Sequence, residues 1–412
     1  MANSFSTALS GLSANSTAID VIGNNLANLN TPGFKASAVS FHDLVTQSIG
    51  AGLGSTQVGF GVGVPITLRQ FSQGALQSTG GPLDAAIQGD GFFIVMNSNG
   101  NTEYTRGGNF MVDTQGNLTT ATGEKVQGWT QNAGVVDTNQ PVGNISVPVG
   151  TLASPQATTS ASVDLNLNSS AATGDRFSTS VQIYDSLGTS HILTYSFTKT
   201  STANQWDYSI TVPDADLTSP FTPVTGTLTF DANGRLTSPA ITDPAPQIAI
   251  TGLADGASDM NISWNLFNNG SARISQFAQS SAASAVAQNG SPAANLVSVG
   301  LGDGGQVLAR YSNGQQVVVG QMAMVTIRNP ESLIAAGNNN YQASALTALP
   351  AIGLPGTGGR GTVLGGSIEA STVDIAKEFT NLIIYQRGYQ ANAKVVTTVD
   401  QLSQETINLK QG

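Results

Sequence analysis

Hydrophobic residues recur with a seven-residue spacing near both ends of this chain and nowhere between them. The N-terminal series, with its supporting apolar positions, comprises Phe5, Leu12, Ile19, Ile22, Leu26 and Leu29. The C-terminal series comprises Ile368, Ile375, Phe379, Leu382, Tyr389, Ala393 and Val396. This spacing is typical of an amphipathic helix with a coiled-coil stripe. Because a single helix cannot bury its own stripe, we predict that the two helices pack on each other or on neighbouring copies of the chain.

The limits of both helices follow from local signals. We predict a first helix over about 4–30, capped by Ser4 or Ser6, and a second over about 373–409 that begins at a Ser371-x-x-Asp374 signal. The first helix should stop at the turn Thr31, Pro32, Gly33 and Phe34. Proline removes a backbone donor and pushes the preceding residue out of the helical region, while glycine permits a tight turn.

From about residue 81 the pattern changes to that of β-structure. The run 92–95 is a compact apolar strand, and apolar side chains alternate with polar ones over 193–197 and 206–212. Alternation with period two indicates half-buried strands. Five Asn-Gly pairs, which begin at positions 99, 233, 269, 289 and 313, suit the positive φ angles of tight hairpins. The middle of the chain is therefore predicted to be antiparallel β-structure.

These elements predict a mainly β fold with terminal α-helices, in which nested antiparallel β domains are inserted between N- and C-terminal coiled-coil helices. We predict that a helix over 1–30 pairs with a C-terminal helix over 366–412, and that an extended connector over 31–79, with a Gly-rich stretch at 50–63, follows the first helix. β domain 1 should then form from two parts, the first over 80–149 and the second, with a Gly-rich connector, over 283–365. Between these parts we predict an inserted outer β domain 2 over 150–282.

Composition excludes several classes of function. Charged residues make up 10% of the 412 positions, against about 25% in typical globular chains. The net charge of −10 and the lack of a basic stripe argue against nucleic-acid binding. No apolar run approaches the roughly 20 residues that span a bilayer, so we expect no membrane insertion. The N-terminus lacks the basic and apolar regions of a cleavable signal peptide, so the chain is expected to be cytoplasmic or to leave the cell by a route that does not use such a signal.

Candidate chemistry is sparse. The chain has no cysteine and two histidines, His42 and His191, which excludes thiolate sites and histidine-rich metal sites. We interpret His191 as a partly exposed strand residue and His42 as a structural or solvent-facing one. The Gly-rich segments 59–63 and 302–305 lack the strand-and-helix context of a phosphate loop, and the Asp-containing turns lack a calcium-loop pattern. We expect no enzymatic activity, no cofactor and no metal.

The amino-acid sequences of the two end segments resemble those of a known family. Segments 8–12 (ALSGL), 21–28 (VIGNNLAN) and 30–35 (NTPGFK) at the N-terminus, and 378–383 (EFTNLI) and 386–392 (QRGYQAN) at the C-terminus, resemble the motifs of the bacterial flagellar axial proteins, the rod and hook subunits. Segments 83–93 (LDAAIQGDGFF) and 104–110 (YTRGGNF) resemble the first part of their shared β domain. The resemblance covers nearly the whole chain.

Within this family the middle of the chain distinguishes rod from hook subunits. Segments 184–191 (YDSLGTSH) and 226–236 (GTLTFDANGRL) resemble the inserted β domain of hook subunits, which a distal rod subunit lacks. Leu29 departs from the small residue that is usual before the Asn-Thr step, and we expect it to tighten the helix contact. A distal rod subunit, a surface β-rich adhesin and an enzyme with a β body remain alternatives.

The resemblance implies a structural subunit that assembles into a curved, flexible, hollow tube and acts as a universal joint between rod and filament. It implies a homopolymer that contacts the distal rod subunit, the hook cap and the hook-filament junction proteins, after export through the flagellar type III apparatus without a cleavable signal peptide. Its location would be the extracellular flagellum, at the basal body and hook. The two apolar stripes would then form intersubunit helix contacts.

Overall fold

The computed structural model describes residues 2–44, 46–49, 56–132 and 135–411. Residues 50–55 of the predicted Gly-rich stretch, and the terminal residues Met1 and Gly412, lie outside these ranges. The chain divides into two compact units. The first consists of Met1–Val149, Ser298–Ala309 and Gln316–Gly412, and the second of Gly150–Val297 and Arg310–Gln315. The second unit is thus inserted into the sequence of the first.

The part of the first unit that precedes the insertion contains a long helix followed by short strands. Their bounds are α1 (Ala2–Ala27), β1 (Ser37–Ser40), β2 (Thr46–Ile49), β3 (Thr56–Gly59), β4 (Ile66–Arg69), β5 (Leu76–Ser78), β6 (Ala85–Gln88), β7 (Phe92–Met96), β8 (Thr102–Thr105), β9 (Phe110–Val112), β10 (Leu118–Thr120), β11 (Lys125–Thr130) and β12 (Gly143–Asn144).

The inserted segment contributes longer strands and one short 3-10 helix, Asp214–Asp216. The strands are β13 (Ser160–Asn168), β14 (Arg176–Tyr184), β15 (Ser190–Lys199), β16 (Gln205–Thr211), β17 (Val224–Phe230), β18 (Leu236–Ser238), β19 (Gln247–Ile250), β20 (Met260–Trp264), β21 (Phe267–Asn268), β22 (Ser271–Ala272), β23 (Ile274–Phe277) and β24 (Ala282–Gln288).

Beyond residue 295 the chain forms further strands and then the second long helix. These elements are β25 (Leu296–Leu301), β26 (Gln306–Tyr311), β27 (Gln316–Met322), β28 (Met324–Thr326), β29 (Ile334–Gly337), β30 (Asn340–Gln342), β31 (Ala351–Gly353), β32 (Thr362–Gly365), β33 (Ser367–Glu369) and α2 (Ile375–Gln411).

The main sheet of the first unit contains the strand order β27-β11-β7-β8-β30-β29. The predicted apolar strand lies at its centre as β7, where Phe93 is fully buried and stacks edge-on against Phe110 at 5.2 Å. Strands β32 and β33 return to pair with β6 and β5 on the N-terminal side of the sequence. The Thr372 N–H donates to the carbonyl of Phe34 at 3.1 Å, which places the start of α2 next to the segment that follows α1.

The second unit consists of two five-stranded sheets around one apolar core. One sheet has the order β14-β15-β16-β17-β18, and the other contains β19-β20-β13-β23 with β24 beside β13. Trp264 joins the two faces, because its ring lies 5.1 Å from the ring of Tyr195 and 5.0 Å from that of Tyr208. The predicted alternation is confirmed, since inward side chains of β15 and β16 are buried and outward ones are not.

The second unit also differs from the sequence-based expectations. It extends to Val297 instead of 282, because β24 forms an antiparallel pair with β13 and so belongs to its sheet. β13 runs parallel to β20 and β23, so this sheet is mixed and not purely antiparallel. His191 lies on the inward face of β15 and is buried, so the prediction that it is partly exposed was wrong.

Turn glycines follow the prediction at four of the five Asn-Gly pairs. The second residues of the pairs that begin at 99, 233, 269 and 313 have positive φ angles. Gly290 does not belong to this set. There, the absence of a side chain is needed for a different reason, because a Cβ would collide with the Thr158 hydroxyl.

The helix limits differ from the predicted ones in detail. α1 begins at Ala2, so Ser4 and Ser6 lie inside it and do not cap it. α2 begins at Ile375, and Asp374 caps it, since its Oδ1 accepts hydrogen bonds from the backbone N–H groups of Ala376 at 2.9 Å and Lys377 at 3.1 Å. Residues 367–369, which include Ile368, form β33 and not helix. No helix in the described part of the chain combines the length and apolar character needed to cross a membrane.

Candidate assembly site

The two terminal helices pack against each other in antiparallel orientation within one chain. Gly11 of α1 lies opposite Asn392 of α2, and Asn15 lies opposite Gly388. A Cβ built on Gly11 would lie 2.8 Å from Asn392 Nδ2, and a Cβ on Gly388 would lie 2.8 Å from Asn15 Oδ1. The glycines therefore allow a close approach that any larger residue would prevent.

Each asparagine is fixed by the glycine of its own helix. Asn15 Nδ2 donates to the carbonyl of Gly11 at 2.7 Å, and Asn392 Nδ2 donates to the carbonyl of Gly388 at 2.9 Å. Both helices thus carry the same Gly-x-x-x-Asn arrangement, and the side chain of each asparagine packs against the glycine of the other helix. The buried face of α1 continues this pattern with small residues, Ala8, Ala14 and Ala18, before Ile22.

The predicted apolar stripes do not form the centre of this intrachain contact. Phe5, Ile375, Phe379 and Tyr389 are between 43% and 51% exposed. Other predicted positions are half-buried, and Ile22 is buried; the half-buried set is Leu12, Ile19, Leu26, Leu382, Ala393 and Val396. The sequence prediction missed the Gly-Asn contact because it weighted large apolar residues, although close helix packing is favoured by small ones.

The turn after α1 is fixed by the C-terminal segment. Gly33 has a φ of +70°, and its backbone N–H donates to the carbonyl of Glu369 at 2.7 Å. A Cβ at this position would collide with the backbone of Arg106. Phe34 is buried against Ala36 and Val373, so the turn is part of a small core and not an exposed loop.

The remaining positions of the turn region make local contacts. Thr31 Oγ1 donates to Asn28 Oδ1 at 3.1 Å, and the carbonyl of Pro32 accepts a bond from Asn339 Nδ2 at 2.9 Å. Leu29 lies two residues beyond the end of α1 and packs against the core around Phe34. Leu29 thus lies outside the contact between α1 and α2 within the chain, and the expectation that it tightens a helix contact between subunits stays a prediction.

A buried charge cluster lies next to this turn. Lys35 Nζ lies 2.6 Å from Glu369 Oε1, and Arg106 NH1 lies 3.1 Å from Glu369 Oε2. All three side chains are at most 3% exposed. Lys35 also donates to the carbonyl of Ser72 at 2.6 Å. Burial lowers the pKa of Lys35, and the neighbouring Glu369 opposes that shift.

Each partner in this cluster comes from a different part of the first unit. Lys35 follows the turn, Arg106 follows β8, and Glu369 ends β33. Because a charge left without its partner in such a place is strongly unfavourable, the cluster fixes the relative positions of these segments. Sequence reasoning missed it, although Lys35 and Arg106 both fall in the family-like segments 30–35 and 104–110.

Asn25 connects three elements at the base of the helix pair. Its Nδ2 atom donates to the carbonyl of Ser37 at 2.8 Å and to Glu378 Oε1 of α2 at 3.2 Å, while its Oδ1 atom accepts from the Ser37 N–H at 3.0 Å. Burial raises the pKa of Glu378 above its usual value.

The predicted extended connector is more ordered than expected where the structure describes it. β1 pairs with β4, and β2 with β3, in antiparallel register. The segment folds back on the helix pair, because the Val62 N–H donates to Ser10 Oγ at 3.1 Å and the ring of Phe41 lies 5.7 Å from that of Tyr385. His42 is exposed, as expected.

Family models match this chain in four consecutive segments. They are described as "Flagella basal body rod protein" over 5–35, "Flagellar hook protein FlgE/F/G D1 domain" over 86–166, "Flagellar basal body protein FlaE D2 domain" over 151–291, and "Flagellar basal body rod FlgEFG protein C-terminal" over 364–409. The first and last segments contain the helix pair described above. The chain is thus of the class of flagellar rod and hook proteins.

Individual relatives narrow this class. The chain is 36% identical to the flagellar hook protein FlgE of Escherichia coli over 98% of this chain and 100% of that protein. It is 32% identical to the flagellar hook protein FlgE of Treponema pallidum over the full length of both. The chain belongs to the flagellar hook protein family, and the FlaE D2 model matches residues 151–291 of the inserted second unit.

A solved structure supports the fold. The crystal structure of the Helicobacter pylori flagellar hook protein FlgE2 covers 70% of this chain and 98% of that chain, with a TM-score of 0.52 and 15% sequence identity. Membership of the family places the chain in a polymer at the extracellular flagellar hook and basal body. The family is a structural one and is not known for enzymatic activity.

Proposed function

We propose that this chain assembles into the curved, flexible, hollow tube of the hook and transmits torque from the rod to the filament as a universal joint. In this proposal the helix pair of each subunit forms the inner tube through contacts with the helix pairs of neighbouring subunits. The second unit forms the outer part.

The observation that carries the proposal is the set of large apolar side chains that stay exposed after the helices have paired. They are Phe5, Leu9, Ile375, Phe379, Ile383, Ile384, Tyr389, Val395, Leu402 and Ile407, each between 43% and 58% exposed. Large apolar patches on a structural protein typically mark interaction sites. Since small residues fill the contact between the two helices, the large ones are free to pack against other subunits.

Low surface charge suits the proposed mechanics. Charged residues form 10% of the chain, and exposed ion pairs would in any case contribute only about 0–1 kcal/mol each. Outer surfaces of neighbouring subunits can then slide with few charge pairs to break, while the buried cluster around Glu369 fixes segments of the first unit in place. This combination supports a tube in which subunits compress and extend by turns as it rotates.

The proposed partners follow from the position of the hook. They are other copies of this chain, the distal rod subunit at one end, and the hook cap and hook-filament junction proteins at the other. We further propose export through the flagellar type III apparatus.

The test compares two substitutions of Phe379 on α2. Phe379→Asp places a carboxylate in the proposed intersubunit contact, where an unpaired charge costs several kcal/mol in every subunit. Phe379→Leu is the control, because it keeps an apolar side chain at the same position and adds no charge. Phe379 is 51% exposed in the chain, so the monomer should lose at most about 1 kcal/mol of stability.

Tube formation is measured by electron microscopy of the purified polymer and by motility of cells that carry the variant. We expect Phe379→Asp to abolish tubes and motility, and Phe379→Leu to allow both. Curved tubes formed normally by Phe379→Asp would refute the assignment of this face, and straight tubes formed by the unaltered chain would refute the hook assignment.

A further inference from the structure

Loops of the second unit bring one histidine and three aspartates together. His191 lies on the inward face of β15 and is 4% exposed, and Asp185, which follows β14, is fully buried. Asp216 ends the short 3-10 helix after β16, and Asp255 lies exposed in the loop between β19 and β20. Asp185 and His191 lie within the segment 184–191, whereas Asp216 and Asp255 come from two later loops.

Both ring nitrogens of His191 face a carboxylate. Nδ1 lies 3.0 Å from Asp216 Oδ2, and Nε2 lies 3.0 Å from Asp185 Oδ2. The ligand atoms of Asp185, His191 and Asp255 all lie within 4.8 Å of one another, and this is the one group of its kind among the described residues.

The charges of this group do not balance. A single imidazole, even when protonated, supplies one positive charge against the three carboxylates. In the part of the chain that the structure describes, the ion pairs of Asp185 and Asp216 are both with His191 and with no lysine or arginine. The carboxyl groups of Asp185 and Asp255 are hydrogen-bonded to each other and so share a proton, which a divalent cation between them would replace.

The side chains are held in place before any ion binds. Asp185 Oδ1 accepts hydrogen bonds from the backbone N–H groups of Leu187 at 2.8 Å and Thr189 at 2.9 Å, so Oδ2 is left to face the histidine. The Ser258 N–H donates to Ser186 Oγ at 3.0 Å, which ties the loop of Asp255 to the turn of Asp185.

A second backbone hydrogen bond holds the backbone of Asp216. The Ala254 N–H donates to the carbonyl of Asp216 at 2.9 Å. Metal-binding histidines usually donate their second ring N–H to a carboxylate, which fixes the tautomer and the orientation of the ring. Asp216 occupies this position at Nδ1, and it leaves Nε2 directed at Asp185.

We propose that Asp185, His191 Nε2 and Asp255 form a binding site for a divalent transition-metal ion, with Zn²⁺ as the preferred ion and water as the remaining ligand. Asp216 orients the imidazole from its other nitrogen. An imidazole nitrogen favours Zn²⁺ over Mg²⁺ and Ca²⁺, which prefer all-oxygen sites.

The distances are compatible with this ion. Zn²⁺ binds nitrogen and carboxylate oxygen at roughly 2.0–2.2 Å, so two ligands in a tetrahedral site lie about 3.3 Å apart. Asp185 and His191 already meet this condition to within a few tenths of an ångström. The ligand atom of Asp255 lies within 4.8 Å of the other two, and an exposed loop side chain can adjust to the remaining distance.

The experiment uses the full-length monomeric chain after treatment with EDTA and dialysis. Zn²⁺ is titrated at pH 7.5 in competition with a chromogenic chelator, and thermal unfolding is followed with and without Zn²⁺ or Mg²⁺. We expect one Zn²⁺ per chain and a rise of the unfolding midpoint by several degrees with Zn²⁺ alone, since an ion that binds only the folded state stabilises it.

Matched variants locate the site. Asp255→Asn should weaken Zn²⁺ binding at least about tenfold, and Asp216→Asn should weaken it about 10- to 100-fold through the orientation of His191. Asp243→Asn is the control, because Asp243 is also exposed in a loop of this unit and accepts a backbone N–H bond, from Ala240 at 2.7 Å, as Asp255 does from Ala257 at 3.1 Å.

The proposal stands if Asp243→Asn binds Zn²⁺ like the unaltered chain while Asp255→Asn does not. Absence of saturable Zn²⁺ binding up to about 100 μM overturns it, as does binding that Asp255→Asn leaves unchanged. Circular dichroism of Asp255→Asn without metal should match that of the unaltered chain, which shows that a loss of binding is not a loss of fold.

Discussion

Gly388 of α2 lies so close to Asn15 of α1 that a Cβ on the glycine would be 2.8 Å from Asn15 Oδ1. The reciprocal contact joins Gly11 and Asn392. Neither asparagine can turn away freely, because each donates to the carbonyl of the glycine four residues before it. The spacing of the two helices is therefore set by two glycines and not by the large apolar residues.

Gly388→Ala should destabilise the helix pair by about 1–3 kcal/mol, because the added methyl group overpacks the contact and has to displace the Asn15 side chain from its hydrogen bond to Gly11. The measurement is the urea midpoint of the far-UV circular dichroism signal at 222 nm. Gly23→Ala is the control, since Gly23 lies in α1 and a Cβ added there would meet nothing within 4 Å. It should stabilise α1 by about 0.5–1 kcal/mol. Equal effects of the two changes would contradict the close contact.

Glu369→Gln should destabilise the first unit by about 3–5 kcal/mol, because it leaves Lys35 and Arg106 buried without their counter-charge. Urea unfolding followed by the fluorescence of Trp129, in a chain whose other two tryptophans are replaced by phenylalanine, measures this unit. The exposed Glu331→Gln is the control and should change stability by less than about 0.5 kcal/mol. A loss below about 1 kcal/mol for Glu369→Gln would show that the cluster is not structurally important.

The base of the helix pair should become more stable as the pH falls towards about 4.5. Burial raises the pKa of Glu378, so the folded state binds its proton more tightly than the unfolded state does. Stability is then highest below the unfolded pKa and falls as the pH rises from there through the folded pKa. Glu378→Gln should remove this part of the pH dependence, measured as urea midpoints at 222 nm between pH 4 and 8. Glu405→Gln, a substitution of an exposed residue on the same helix, should not change the pH dependence. A urea midpoint of the unaltered chain that does not vary with pH would contradict the prediction.

Removal of 150–297 should leave the first unit folded, because the second unit has its own core. Removal of 150–282 should give a less soluble product, since the residues of β24 would remain without the β13 strand they pair with. The comparison uses circular dichroism, thermal unfolding and soluble yield. Failure of both variants to fold would show that the first unit depends on the second, and identical behaviour would show that the boundary at 297 has no physical meaning.

Much of the architecture followed from local chemistry in the sequence. Heptad spacing near both ends predicted α1 and α2, Pro32 and Gly33 predicted the turn after α1, and period-two alternation predicted β15 and β16. Each of these signals acts between residues close in sequence, where backbone geometry and the alternation of side chains are sufficient. The family-like motifs led to the hook family by the same route.

Only the tertiary structure decided which residues of those elements meet. The heptad series identified two helices but not the face that each uses, because Gly11 and Gly388 contribute no hydrophobic signal and act by allowing close approach. Lys35 and Glu369 are separated by hundreds of residues in the sequence, and only folding brings them together with Arg106 in a buried cluster. His191 likewise looked like an ordinary strand residue until β14, β16 and the loop of Asp255 surrounded it with carboxylates. Burial and long-range electrostatics depend on distances that the sequence does not contain, so these features could not be derived from pattern alone.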